Sequence, residues 1–144
     1  MKALYILPIL LATLFVLPSC EQDQDLLEFQ VPTVVMQEFK EKYPDATFAE
    51  WERVGTKYKA DFRYDGRGAE AWFDKSGGWI RTEFEFRGTL PEPVQQLIAT
   101  QYARYEIDSV EWVETPTGNY YQFELERDGR LDRTLKVRED GTEI

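Results

Sequence analysis

The chain has 144 residues with 17 Lys and Arg against 27 Asp and Glu, a net charge of −10, no histidine and a single cysteine. That balance repels phosphate backbones and anionic lipid surfaces and excludes nucleic acid as a partner. The lack of histidine and of a second thiol removes Cys/His zinc sites, internal disulfides and most general acid–base or nucleophilic machinery, while 4 Trp, 8 Tyr and 9 Phe supply ample area for one small core.

In chain order, Lys2 is followed by an uncharged, mostly apolar run from Ala3 to Leu17 and then by Pro18-Ser19-Cys20. About 15 residues is short of the roughly 20 that span a bilayer, and the run ends on a small residue, which predicts a secretory signal peptide over residues 1–19. Leu17-Pro18-Ser19-Cys20 resembles a lipobox, whose cysteine is acylated and becomes the mature N-terminus. Several acyl chains on Cys20 would hold the protein stably on a membrane, the bacterial outer membrane being the expected one, on its periplasmic side or at the cell surface. Glu21-Gln22-Asp23-Gln24-Asp25 is polar and acidic with nothing to bury, so residues 20–29 are predicted to be a flexible tether.

From residue 30 onward the chain aligns with itself. Val31-Pro32 and Leu90-Pro91 each open a stretch with apolar residues at helical spacing, Val35, Met36, Phe39 and Tyr43, then Val94, Leu97, Ile98 and Tyr102. Pro44 stops the first helix. Beyond each helix the period changes to two, with Tyr58, Ala60, Phe62 and Tyr64 alternating with Lys57, Lys59, Asp61 and Arg63, and Tyr121, Phe123 and Leu125 alternating with Gln122, Glu124 and Glu126. These are predicted half-buried antiparallel strands. Asp65-Gly66 and Asp128-Gly129 read as hairpin turns, as do Lys75-Ser76-Gly77-Gly78 and Glu139-Asp140-Gly141. Trp51 matches Trp112, and Gly77 matches Gly141, with the offset drifting from 59 to 64 positions. The predicted fold is α+β, a tandem repeat of a helix followed by a three- or four-stranded antiparallel sheet, with one domain over residues 30–144 made of copies at 30–88 and 89–144. A unit of that size is marginal alone, so the two sheets should associate.

Together Val31-Pro32, Phe39, Tyr43-Pro44-Asp45-Ala46, Trp51-Glu52, Tyr58-Lys59-Ala60-Asp61-Phe62, Ala71-Trp72-Phe73-Asp74 and Gly77-Gly78-Trp79 resemble the PepSY-like, β-lactamase-inhibitor-like family of secreted bacterial proteins. The resemblance covers about residues 30–144. It implies a tandem helix-plus-sheet fold of the β-lactamase-inhibitor-protein type, a broad and often concave sheet face, and a periplasmic or cell-surface setting. It implies no agreed activity.

No cofactor or metal is expected. Glu50/Glu52, Glu83/Glu85, Glu124/Glu126 and Asp65 with Asp74 read as the solvated face of a sheet, and an enzyme would need an acid pair such as Asp65 and Asp74 to titrate abnormally. If Tyr58, Ala60, Phe62, Ala71 and Phe73 face the helix, then Lys57, Lys59, Asp61, Arg63, Trp72 and Asp74 occupy the opposite face, joined by Tyr120, Gln122, Glu124, Lys136 and Arg138. The candidate binding face is therefore Trp72, Tyr120, Lys59, Arg63 and Glu124, because aromatics beside charges suit an interface. The expected protein is a non-enzymatic, lipid-anchored envelope protein that binds an unidentified envelope protein or peptide, as inhibitor or sensor. Alternatives are a structural or assembly lipoprotein pairing through strand edges, and a carbohydrate- or small-ligand-binding module.

Overall fold

The alternating stretches form strands and the two helical stretches form helices in the computed structural model, which describes residues 23–144. The predicted signal peptide and Cys20 lie outside the described residues. The elements run β1 (Gln24–Leu26), α1 (Thr33–Lys42), β2 (Thr47–Val54), β3 (Lys57–Tyr64), β4 (Arg67–Asp74), β5 (Trp79–Glu85), α2 (Glu92–Gln101), β6 (Glu106–Glu114), β7 (Tyr120–Arg127) and β8 (Arg130–Val137). All the strands join one eight-stranded antiparallel sheet in sequence order. Four strands follow α1 and three follow α2, and β5 pairs with β6 without a break between the two groups.

Local chemistry accounts for the element ends. Pro32 and Pro91 occupy the capping positions immediately before the helices, and their carbonyls accept the first helical N–H groups, from Met36 and Gln95, at 3.0 Å. A residue without an N–H loses nothing there. Asp65-Gly66 and Asp128-Gly129 have φ of 51° and 75°, and 55° and 71°, the paired positive values of the tight turn whose twist suits a hairpin.

The tether expected over residues 20–29 is corrected at Gln24. Gln24, Asp25 and Leu26 pair with Arg53, Glu52 and Trp51, and Glu28–Gln30 form a single 3-10 turn. The backbone groups of a polar tract can pair with the free edge of β2 without burying their side chains, and Leu26 adds a contact with the core.

Both helices lie on one face of the sheet. One buried cluster joins Val35, Phe39 and Tyr43 with Trp51, Phe62, Phe73 and Phe84; another joins Val94 and Tyr102 with Tyr121, Phe123, Leu125, Leu135 and Val137. Trp112 packs against both clusters. Trp79, whose face the sequence leaves open, belongs to the helix side: its Nε1 donates to Thr82 Oγ1 at 2.8 Å and Lys42 Nζ sits 3.6 Å from its ring centre. Buried Thr82 also shares a 2.5 Å hydrogen bond with Tyr43, whose hydroxyl pKa burial pushes up to about 12.

Gly77 and Gly141 sit in corresponding places. Both have positive φ, 90° and 84°, and a side-chain carbon at either would lie 3.0 Å from the Val34 carbonyl or 3.1 Å from that of Pro93. Each of these carbonyls belongs to the second residue after a capping proline. In both cases a β-turn closes onto the start of a helix so tightly that a side chain would crowd the helix backbone, and the positive φ favours glycine as well.

Candidate functional site

The face of the sheet turned away from the helices is the open one, and its register builds a row of acids. Glu50 pairs with Asp61, Asp61 with Glu70, Glu70 with Glu83, and Glu83 with Val113 and on to Tyr120. In the adjacent row Glu85 pairs with Glu111 and Glu111 with Gln122. The acidic groups from Glu50 to Glu111 line a trough of about 480 Å³ walled by Phe48, with Arg63 as its single cationic side chain. Directly paired residues lie about 5 Å apart, so like charges across strands repel.

Some of that repulsion is relieved. Lys59 pairs with Glu52 at 2.9 Å and Asp61 at 3.3 Å, Arg81 with Glu83, and Arg87 with Glu85 at 2.9 Å. Burial would pull the Lys59 pKa down, but the Glu52 hydrogen bond and the charges of Glu70 and Asp61 outweigh it and hold the ammonium above its ordinary range. Glu50 and Glu70 have no ion pair or side-chain hydrogen bond among the described residues, and Glu111 accepts one hydrogen bond, from Gln122 at 2.9 Å. Burial, then the Asp61 charge, raises Glu70 from 4.5 to about 7, and burial followed by Glu83 raises Glu111. Among the described residues no three acidic side chains converge closely enough to hold a metal ion.

The candidate residues do not gather into one patch. Trp72 lies between two cations, with Lys59 Nζ 5.9 Å and Arg81 Cζ 4.4 Å from its ring, and its buried Nε1 has no hydrogen-bond partner among the described residues. Tyr120 shares the face but lies on β7, three strands from β4, roughly 14 Å away at normal strand spacing, and it packs under Lys136 at 5.4 Å. Arg63 is tied to its own hairpin through the Gly66 carbonyl at 3.0 Å, and Glu124 accepts a hydrogen bond from Thr134 at 3.0 Å near the other end of the face. Asp65, in the turn before β4, and Asp74, the last residue of β4, lie at opposite ends of that strand, so they form no acid pair; Asp74 is held below the usual carboxylate range by hydrogen bonds from Ser76 and Gly78.

Three trough residues escape a reading of the sequence. Glu70 and Glu111 look like ordinary alternating acids until register places them beside Asp61, Glu83 and Glu85. Phe48 is 82 % exposed at φ 55°, next to the register shift between Thr47 and Glu50. A left-handed φ costs a non-glycine residue roughly 1–2 kcal/mol, and such strain concentrates at functional sites.

A family model described as "Putative beta-lactamase-inhibitor-like, PepSY-like" matches residues 20–66 and 56–142. No curated protein matches. Among solved structures, a BLIP-like protein from Bacteroides fragilis NCTC 9343 is 28% identical with a TM-score of 0.67, covering 78% of this chain and 83% of its own. A DUF2874 family protein from Bacteroides uniformis ATCC 8492 is 23% identical with a TM-score of 0.71 over 78% and 86% of the two chains. A protein from Bacteroides eggerthii DSM 20697, described as a "putative periplasmic" protein, shares the fold at 19% identity and a TM-score of 0.71, covering 79% and 86%.

Proposed function

The chain belongs to the PepSY-like, beta-lactamase-inhibitor-like family, and from that premise we propose that it is a non-enzymatic envelope protein that binds a protein or peptide through its open sheet face. The observation that carries this is the carboxylate trough, whose Glu50 and Glu70 have no ion pair or side-chain hydrogen bond among the described residues and whose rim exposes Phe48. A Lys- or Arg-bearing segment would neutralise the row, return Glu70 to its charged form and pack against the ring. The unfavourable spacing of like charges in the free protein is then the source of specificity in the bound one. Trp72 near the middle of the face and Tyr120 towards its β8 edge, too far apart to share one small ligand, act as separate contacts, with Lys59, Arg63 and Glu124 around them.

The setting is periplasmic or at the cell surface, with acylated Cys20 as the anchor. It is supported by the leader-like first twenty residues, by the described location of the similar B. eggerthii protein, and by the fact that no helix among the described residues is long and apolar enough to cross a membrane. The two helix-plus-sheet units are two copies of one ancestral unit. The paired capping prolines and the equivalent Gly77 and Gly141 contacts support that reading. Edge-to-edge assembly is disfavoured at one edge by Arg130, Asp132 and Arg133 on β8 and at the other by the three-residue length of β1.

The test is capture from the producing cell's envelope with the full chain, in parallel with a Glu50→Gln, Glu70→Gln, Glu111→Gln variant. A basic protein retained by the first and lost from the second, and released by salt, is the expected result. Equal retention by both, with circular dichroism showing both folded, would sink the assigned face.

A further inference from the structure

A second surface lies on the far side of the molecule, and it meets the core only at Val31 and Met36. Leu27 and Phe29 are 62 % and 82 % exposed, and Phe29 lines a groove of about 820 Å³ with Met36, Gln37 and Lys40 of α1. Helical spacing puts Thr33, Gln37 and Lys40 on the side of α1 opposite buried Val35 and Phe39. The groove therefore opens away from the sheet, on the reverse of the carboxylate trough. Its rim is crossed by a 3.2 Å ion pair between Lys40 and Glu28.

The chain enters the fold beside this surface. Cys20 stands four positions before Gln24, the first residue of β1, and four extended residues reach at most about 14 Å. An acylated Cys20 would hold the start of the fold within that distance of the bilayer. Leu27 and Phe29 follow immediately. The net charge of −10 rules against attraction to anionic lipid, so a membrane contact here must be apolar, with side chains entering the boundary between headgroups and acyl chains. Lys40 can lay its stem along the groove while keeping its ammonium in water.

We propose that Leu27, Phe29 and the outer groove of α1 dock into the phospholipid leaflet that carries the acylated Cys20. This rests on the anchoring reading above. The consequence is an orientation: with the helix layer against the bilayer, the carboxylate trough faces away from it and is free for a partner. A short, polar link and a buried apolar face together fix that orientation, where a long tether would leave the domain tumbling.

The test uses the full chain, processed in cells and reconstituted in phosphatidylcholine vesicles with brominated acyl chains. Phe29→Trp is compared with Phe48→Trp, since both positions are 82 % exposed but lie on opposite sides of the sheet. Relative to the unsubstituted protein, the emission added by Phe29→Trp should be blue-shifted and largely lost to bromine quenching, unaffected by salt, while that added by Phe48→Trp persists. Persistent emission from both variants on a chain whose Cys20 is acylated by mass spectrometry overturns the docking and leaves the anchor standing. A Cys20 recovered without acyl groups overturns both.

Discussion

Around α1 the large side chains of the core are nearly all rings, whereas around α2 aliphatic chains share the core with rings. Phe39 sits edge-on to Trp51 and Phe62, with centroids 5.2 and 4.9 Å apart, and Phe73, Phe84 and Tyr43 extend the network. Val94 is the one fully buried residue of α2, facing Leu125, Leu135 and Val137 beside Phe123 and Tyr121. The same order of helix and strands thus accommodates two core chemistries. Backbone pairing, capping prolines and turn glycines set the layout in both halves, and the side chains need only fill it. The aromatic half holds its helix with more area per residue and with edge-to-face contacts beyond simple burial.

The largest expected contrast comes from emptying each core at its helix. Phe39→Ala should cost about 3–5 kcal/mol, and Val94→Ala, which removes far fewer buried atoms, roughly 2 kcal/mol. Urea unfolding at constant slope measures both, and a reversed order would break the comparison. Trp112 bridges the halves, so Trp112→Ala should cost about 3 kcal/mol and separate the unfolding of the two halves, seen as transitions that no longer coincide between probes. A single coincident transition in that variant would show that the continuous sheet couples the halves without it.

Smaller effects sharpen the equivalence of the two turns. Gly77→Ala and Gly141→Ala should each cost about 2 kcal/mol, since positive φ and a close backbone carbonyl act together, while Gly66→Ala, with open space around it, should cost roughly half as much. Thermal melts showing Gly77→Ala harmless and Gly141→Ala severe would contradict the correspondence. The smallest effect is the pH dependence of the trough. The Glu70 pKa is raised from 4.5 to about 7 in the folded state, so the native protein binds this proton more tightly than the unfolded chain. Stability should therefore fall as pH rises from about 4.5 through 7. Glu70→Gln should remove that loss, gaining on the order of 1 kcal/mol at pH 8, solvent screening of this half-buried group holding the gain well below the full linkage value, and nothing at pH 4; an equal gain at both values would point to packing instead of charge.

Much of the fold is legible in the residue order because its signals are local. Val35, Phe39 and Tyr43 mark the buried side of α1, Pro44 ends it, and Tyr58 to Tyr64 alternate as β3 does. The division of β3 and β4 into a core face and an open face follows from the same alternation. The edge strand Gln24–Leu26 was not legible, because its pairing uses backbone groups that every sequence possesses. Nor was the separation of Trp72 from Tyr120, since alternation tells which face a side chain takes and not how many strands lie between two of them.

The helices, the strand faces, the hairpin turns and each short motif behind the family resemblance can be read from residue order, because each depends on residues within a few positions of one another. The single continuous sheet, with Glu50, Asp61, Glu70 and Glu83 standing in one row, follows instead from pairing between distant strands. Register between distant strands is set by how the whole sheet pairs, including the shifts at Thr47/Glu50 and Trp72/Phe73. A slip of one residue would have scattered those carboxylates to the other face.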